Sequence, residues 1–145
     1  MSINNHHFSN WRPYLSEYGY NTLIKYVENV KNNIKNDTIL LLTGEGPTGK
    51  STLKRAIIDY IGRDNCTCQD IENINFHVPF KSLVEFDNSI LIDGNTTRKK
   101  IQGIKNFTLF NLNGVYIHPD LHDFPRELSV LRYFSVIEMN HIFTR

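Results

Sequence analysis

The sequence has little sulfur to build with: in 145 residues the only cysteines are Cys66 and Cys68. Cysteines one residue apart are too close for an unstrained disulfide and too few to close a zinc site, so both read as reduced thiols of an intracellular chain. No apolar run approaches the roughly 20 residues of a membrane span, and the opening MSINNHHFSN lacks the apolar core of a signal peptide. The expectation is a soluble protein without a membrane partner. A surplus of charge is missing too: 16 Lys and Arg against 15 Asp and Glu leave a net +1. That excludes a strongly basic nucleic-acid binder and requires any such contact to come from a local patch. No repeat, low-complexity block or internal linker is visible, so a second independent domain is not expected. His6 and His7 lie in a polar start that reads as a disordered tail rather than a metal site.

What is present is an apolar content of 40%, enough for a core, arranged in recognisable periods. Leu23, Tyr26, Val27, Val30 and Ile34 recur at three-and-four spacing and predict a helix with one apolar face, either packed on the core or forming a small assembly subdomain. Thr38 to Thr43 is a continuous β-branched and leucine run, the mark of a strand buried on both faces of a parallel sheet. Leu53, Ala56, Ile57, Tyr60 and Ile61 predict a second helix, and Gly62 suits its end. Ile74, Phe76 and Val78 alternate as a short strand, and Ser89 to Ile92 reads as another buried strand ending in Asp93. FTLFNLNGVYI reads as a hairpin or two strands around the turn dipeptide Asn113-Gly114, and LRYFSVIEM as a last strand. The expected fold is α/β, a P-loop NTPase with a mainly parallel sheet flanked by helices. It divides into a tail and helix over 1–36 and a core over 37–145.

Between the first strand and the second helix stands GEGPTGKS, Gly44 to Ser51, a complete G-x-x-x-x-G-K-[ST] phosphate loop in strand–loop–helix context. Its glycines let backbone N–H groups converge on phosphate oxygens without Cβ atoms in the way, and the helix start adds its positive dipole end. Gly44, Glu45, Gly46, Pro47, Thr48, Gly49, Lys50, Ser51 and Thr52 are the expected nucleotide cradle. Lys50 reaches the β- and γ-phosphates, and the Ser51 hydroxyl takes Mg²⁺. Hydrolysis needs a carboxylate on the hydrated metal as well, a role that Asp93 fits, although Gly94 follows it where a second acid often stands. The expected cofactors are ATP, or GTP, and Mg²⁺.

The order of the Lys50 loop, ILIDG, a short basic stretch, VYIHPD and LRYFSVI resembles the superfamily 3 helicases, AAA+-like ATPases of small DNA virus replication proteins. The likeness covers about Thr38 to Ile142, closely at the loop and loosely elsewhere. It implies an AAA+-like minimal core, ATP hydrolysis coupled to single-stranded DNA, and a viral protein in the host cytoplasm or nucleus. By resemblance Asp93 is the first of two metal-site acids, with Gly94 replacing the second. Asp120 takes the place of the phosphate-sensing Asn. Arg132 takes that of the finger offered to a neighbouring subunit, which requires a homo-oligomer such as a ring. Arg98, Lys99, Lys100 and Lys105 lie where the DNA-contacting hairpin is found. The changes at Gly94 and Asp120 imply either a carboxylate moved to the adjacent strand end or a domain that only binds nucleotide.

Two other functions stay open: a small P-loop nucleotide kinase, against which the scarcity of C-terminal arginines counts, and a catalytically degenerate nucleotide-binding assembly protein. A metal set of His118, Asp120 and His122 can also be drawn on alternate strand positions, with Pro119 standing against it.

Overall fold

The computed structural model describes residues 6–44, 48–70, 82–87, 113–118 and 131–139. Helix α1 (Glu17–Lys31) begins where Ser16 caps it, the serine Oγ accepting from the Gly19 N–H at 3.0 Å. Such a cap satisfies one of the donors a helix start leaves free. Of the spaced residues read from the sequence, Leu23, Tyr26, Val27 and Val30 lie on one buried face together with Tyr20, whereas Ile34 falls beyond the end of the helix and is 50% exposed. That face shares a single core with Leu53, Ile57 and Ile61 of α2 (Lys50–Ile61) and with Leu40 and Leu42 of β1 (Ile39–Thr43). Of the two roles open to α1, packing is the one observed.

Strands β1, β2 (Cys66–Asp70), β3 (Leu83–Asp87), β4 (Gly114–His118) and β5 (Phe134–Glu138) form a five-stranded sheet in the order β2-β3-β4-β1-β5. All its pairings are parallel. Helices flank it. Ile39, Leu40, Leu41 and Leu42 are each 0% exposed, so β1 is buried on both faces, which is why its sequence is a continuous apolar run rather than an alternation.

Several expectations need correction or fall outside the described residues. The short strand expected at Ile74 to Val78 and the strand at Ser89 to Ile92 lie outside them. The sheet strand found in that region is β3, whose apolar pattern is interrupted by Glu85. The carboxylate is tolerated there because Lys54 of α2 pairs with it at 3.1 Å. Strand β2 escaped notice because CTCQD is short and half polar, as suits the edge of a sheet. Asn113-Gly114 is not a hairpin turn. Gly114 opens β4 between Ile39 and Val84, with both neighbours parallel. A Cβ on Gly114 would stand 2.7 Å from the Phe86 ring and 2.9 Å from Ile39 Cδ1, so glycine is required for close packing. Asn113, buried beside it, accepts from the Asn36 N–H at 2.9 Å and donates to the Ile34 carbonyl at 3.0 Å.

The start of the chain also differs from the expected tail. His6 is 4% exposed and its Nε2 bonds Glu28 Oε1, which also accepts from the Tyr60 hydroxyl at 2.5 Å. Phe8 is fully buried against the Tyr60 ring. A histidine pair without periodicity gives no sequence signal of such docking. The hydrogen bonds from Tyr60 and then His6 hold the Glu28 carboxyl below the usual carboxylate range. Burial, and then the Glu28 carboxylate, push the Tyr60 hydroxyl up to about 12.

At the other end of α1, the buried Tyr26 hydroxyl accepts from the Gly114 N–H at 3.1 Å. It shares its one proton between the carbonyls of Thr38 (2.6 Å) and Gly114 (3.0 Å). Burial raises its pKa above the ordinary tyrosine value. Removing that oxygen leaves buried backbone groups unpaired, so Tyr26→Phe should lower unfolding free energy by about 1–3 kcal/mol in urea titration. A folded-state pKa below the unfolded one means that the Glu28 contribution is present above about pH 4.3 and is lost as pH falls through the folded value. Glu28→Gln should therefore flatten the acid limb of a stability-against-pH profile.

Candidate nucleotide-binding site

From β1 the chain crosses to the far edge at β2, returns through β3 to β4, then passes over β1 to β5. The strands that follow β1 and β4 thus lie on opposite sides of this pair, and in sheets of that order ligands bind beyond the carboxyl ends of the two strands. Gly44 follows β1 directly at that end. With φ of 154° and a hypothetical Cβ only 2.1 Å from the Met139 carbonyl oxygen, this position accepts only glycine. The Met139 N–H donates to the Thr43 carbonyl at 2.7 Å, so the loop leaves β1 pressed against the chain leaving β5.

The other end of the loop is set by Gly49, left-handed at φ 85°, the N-cap residue of α2. Among the described residues no side chain caps this helix, and a helix N-terminus favours an anion. The Lys50 ammonium folds back to donate to the Gly44 carbonyl and, at 3.1 Å, to Thr48 Oγ1. Burial lowers its pKa. Ser51 and Thr52 are exposed at the following positions of α2. Thr48, Gly49, Lys50, Ser51 and Thr52 therefore gather at this end of the sheet with Gly44, while Glu45, Gly46 and Pro47 lie outside the described residues.

No protein-family model matches this chain, and no curated protein matches it significantly. The functional reading therefore rests on the residues themselves. At the same end of the sheet, β4 closes on His118, in register with Thr43 and buried, its Nδ1 2.9 Å from the Tyr116 hydroxyl. Thr43 Oγ1 is fully buried with no hydrogen-bond partner among the described residues. Strand β3 closes on Asp87. Asp87 and His118 were not singled out for catalysis in the sequence, although LVEFD, an acid ending an apolar-rich run, carried a signal that ILIDG outshone.

The remaining expected site residues do not join this group. Asp93, Arg98, Lys99, Lys100, Lys105 and Asp120 lie outside the described residues. Arg132 is exposed just before β5, at the amino end of the sheet, and Lys50 follows the carboxyl end of β1. A strand of five residues, about 16 Å, separates those levels within one chain. The Arg132 guanidinium lies 4.9 Å from the Tyr133 ring centroid and donates to its hydroxyl at 2.8 Å. Among the described residues no three His, Cys, Asp or Glu side chains cluster as a metal site. The chemistry fits Mg²⁺ all the same, because Mg²⁺ keeps most of its waters and takes one or two protein oxygens beside the phosphates. No described helix is long and apolar enough to cross a membrane.

Gly44→Ala tests the geometry of the loop entrance. The added methyl must displace the Met139 backbone, so unfolding free energy should drop by about 1–3 kcal/mol in chemical denaturation.

Proposed function

We propose that the chain binds Mg²⁺-ATP on the loop from Gly44 to Thr52 and hydrolyses it, as the ATPase of a viral replication protein of the superfamily 3 helicase type. The observation that carries the reading is the Lys50 ammonium. It is partly desolvated and held by the Gly44 carbonyl and the Thr48 hydroxyl at the start of α2. A triphosphate gives this cation a better partner than a neutral carbonyl, since charge-assisted hydrogen bonds are about twice as strong. The helix start of α2 favours the same anion.

Mg²⁺, when bound, neutralises charge between the β- and γ-phosphates; the Ser51 hydroxyl and an acid after the third strand would hold it. We assign that acid to Asp87 in preference to Asp93, because β3, the strand beside β4, ends on Asp87. His118 and Asp120, at and just past the end of β4, are the polar groups that orient the attacking water. Arg132 acts only across a subunit boundary, so the proposal includes a homo-oligomer. The basic set Arg98, Lys99, Lys100 and Lys105 contacts single-stranded DNA through its phosphates.

The test is single-turnover hydrolysis of ATP with Mg²⁺, with and without single-stranded DNA. Lys50→Ala should abolish turnover, and DNA should stimulate the wild type. Asp87→Asn should raise the Mg²⁺ concentration needed for half-maximal rate about tenfold, and Asp93→Asn should not. The reverse order would return the metal role to Asp93. Phosphate transfer to a nucleoside monophosphate would make the protein a kinase, and tight binding without turnover would make it an assembly protein.

A further inference from the structure

At the amino end of the sheet, opposite the phosphate loop, a pocket of about 400 Å³ opens between α1 and the starts of β1 and β5. Its lining is Tyr18, Asn21, Thr22, Lys25, Tyr26, Asn36, Thr38 and Ser135, with no carboxylate. The floor is rigid. Thr38 Oγ1 and Ser135 Oγ hydrogen-bond each other at 2.6 Å, and the Asn36 amide donates to Asn113 Oδ1 at 3.0 Å and to the Tyr26 carbonyl at 3.3 Å. The wall is different. Among the described residues, the side chains of Tyr18, Asn21, Thr22 and Lys25 have no hydrogen bond or ion pair, and the Tyr18 ring is 72% exposed. They recur along one stripe of α1, with Tyr18 and Lys25 about 10 Å apart along its axis.

A bare aromatic face at one end, a free ammonium at the other and amide and hydroxyl groups between them match a planar, hydrogen-bonding, anionic ligand. A nucleotide has that combination. We propose that this pocket is a second nucleic-acid subsite, separate from the phosphate loop. It takes one nucleotide of a single strand, with the base stacked on Tyr18 and a phosphate on Lys25. A strand suits it better than a free mononucleotide because the pocket is open and carries a single cation, so affinity must accumulate along the chain.

The probe is a fluorescein-labelled ten-nucleotide oligothymidylate, followed by anisotropy from low to moderate salt without ATP. Wild-type binding should weaken as salt rises. Tyr18→Ala should weaken it at least about fivefold at every salt concentration, leaving the salt slope unchanged. Lys25→Ala should lower the slope by about one. Both residues are on the surface, so the variants should fold, and circular dichroism checks that. Lys50→Ala should bind the oligonucleotide like wild type, which separates this subsite from the nucleotide site: loss of ATP hydrolysis leaves it standing, and loss of DNA binding leaves the loop standing. Wild-type affinity in both pocket variants, or no salt-dependent binding by the wild type, would overturn the proposal.

Discussion

The way the chain leaves β1 governs the rest of the candidate site. The Met139 N–H extends the ladder past the last paired residue to the Thr43 carbonyl, and Gly44 then turns against the Met139 carbonyl where no side chain fits. That contact fixes the loop entrance to β5, while Gly49 fixes its exit to α2. A phosphate grip needs both ends held, because its strength lies in backbone N–H groups that have already lost the freedom a flexible loop retains.

The two ends of the sheet are finished differently. At the amino end, Tyr26 binds the starts of β1 and β4 to α1, and Asn113 and Asn36 satisfy the backbone between them. On the flanks, the Lys54–Glu85 pair and the His6–Glu28–Tyr60 cluster join elements that the apolar core alone would leave free to slide. At the carboxyl end, α2 starts without a side-chain cap among the described residues, the Lys50 ammonium donates to the Gly44 carbonyl and the Thr48 hydroxyl, and the buried Thr43 hydroxyl has no hydrogen-bond partner among the described residues. A buried hydroxyl without a partner in a well-satisfied framework calls for an explanation, and the proposed nucleotide site supplies one.

Periodicity made the helices and β1 legible, because burial on one stripe or on both faces leaves a period that survives in the sequence. The glycines at 44 and 49 were legible because positive backbone angles at both ends of the loop dictate that residue type. Strand β3 was not, since Glu85 breaks its apolar run and only the fold shows Lys54 arriving to pair with it. Gly114 was misread for a related reason. Glycine serves turns and close packing alike, and the choice between them lies with Phe86 and Ile39, which are distant in sequence. Docking of His6 on Glu28 and Tyr60 depends on long-range contacts between single residues, which leave no pattern.

The central claim is that the loop and the first turn of α2 together form the phosphate grip. Amide hydrogen exchange with and without Mg²⁺-ATP tests it most directly. The account predicts that nucleotide slows exchange chiefly in the segment 44–53, with β2 and the amino end of the sheet unchanged. Equal exchange in that segment at saturating nucleotide, or protection only elsewhere, would contradict it.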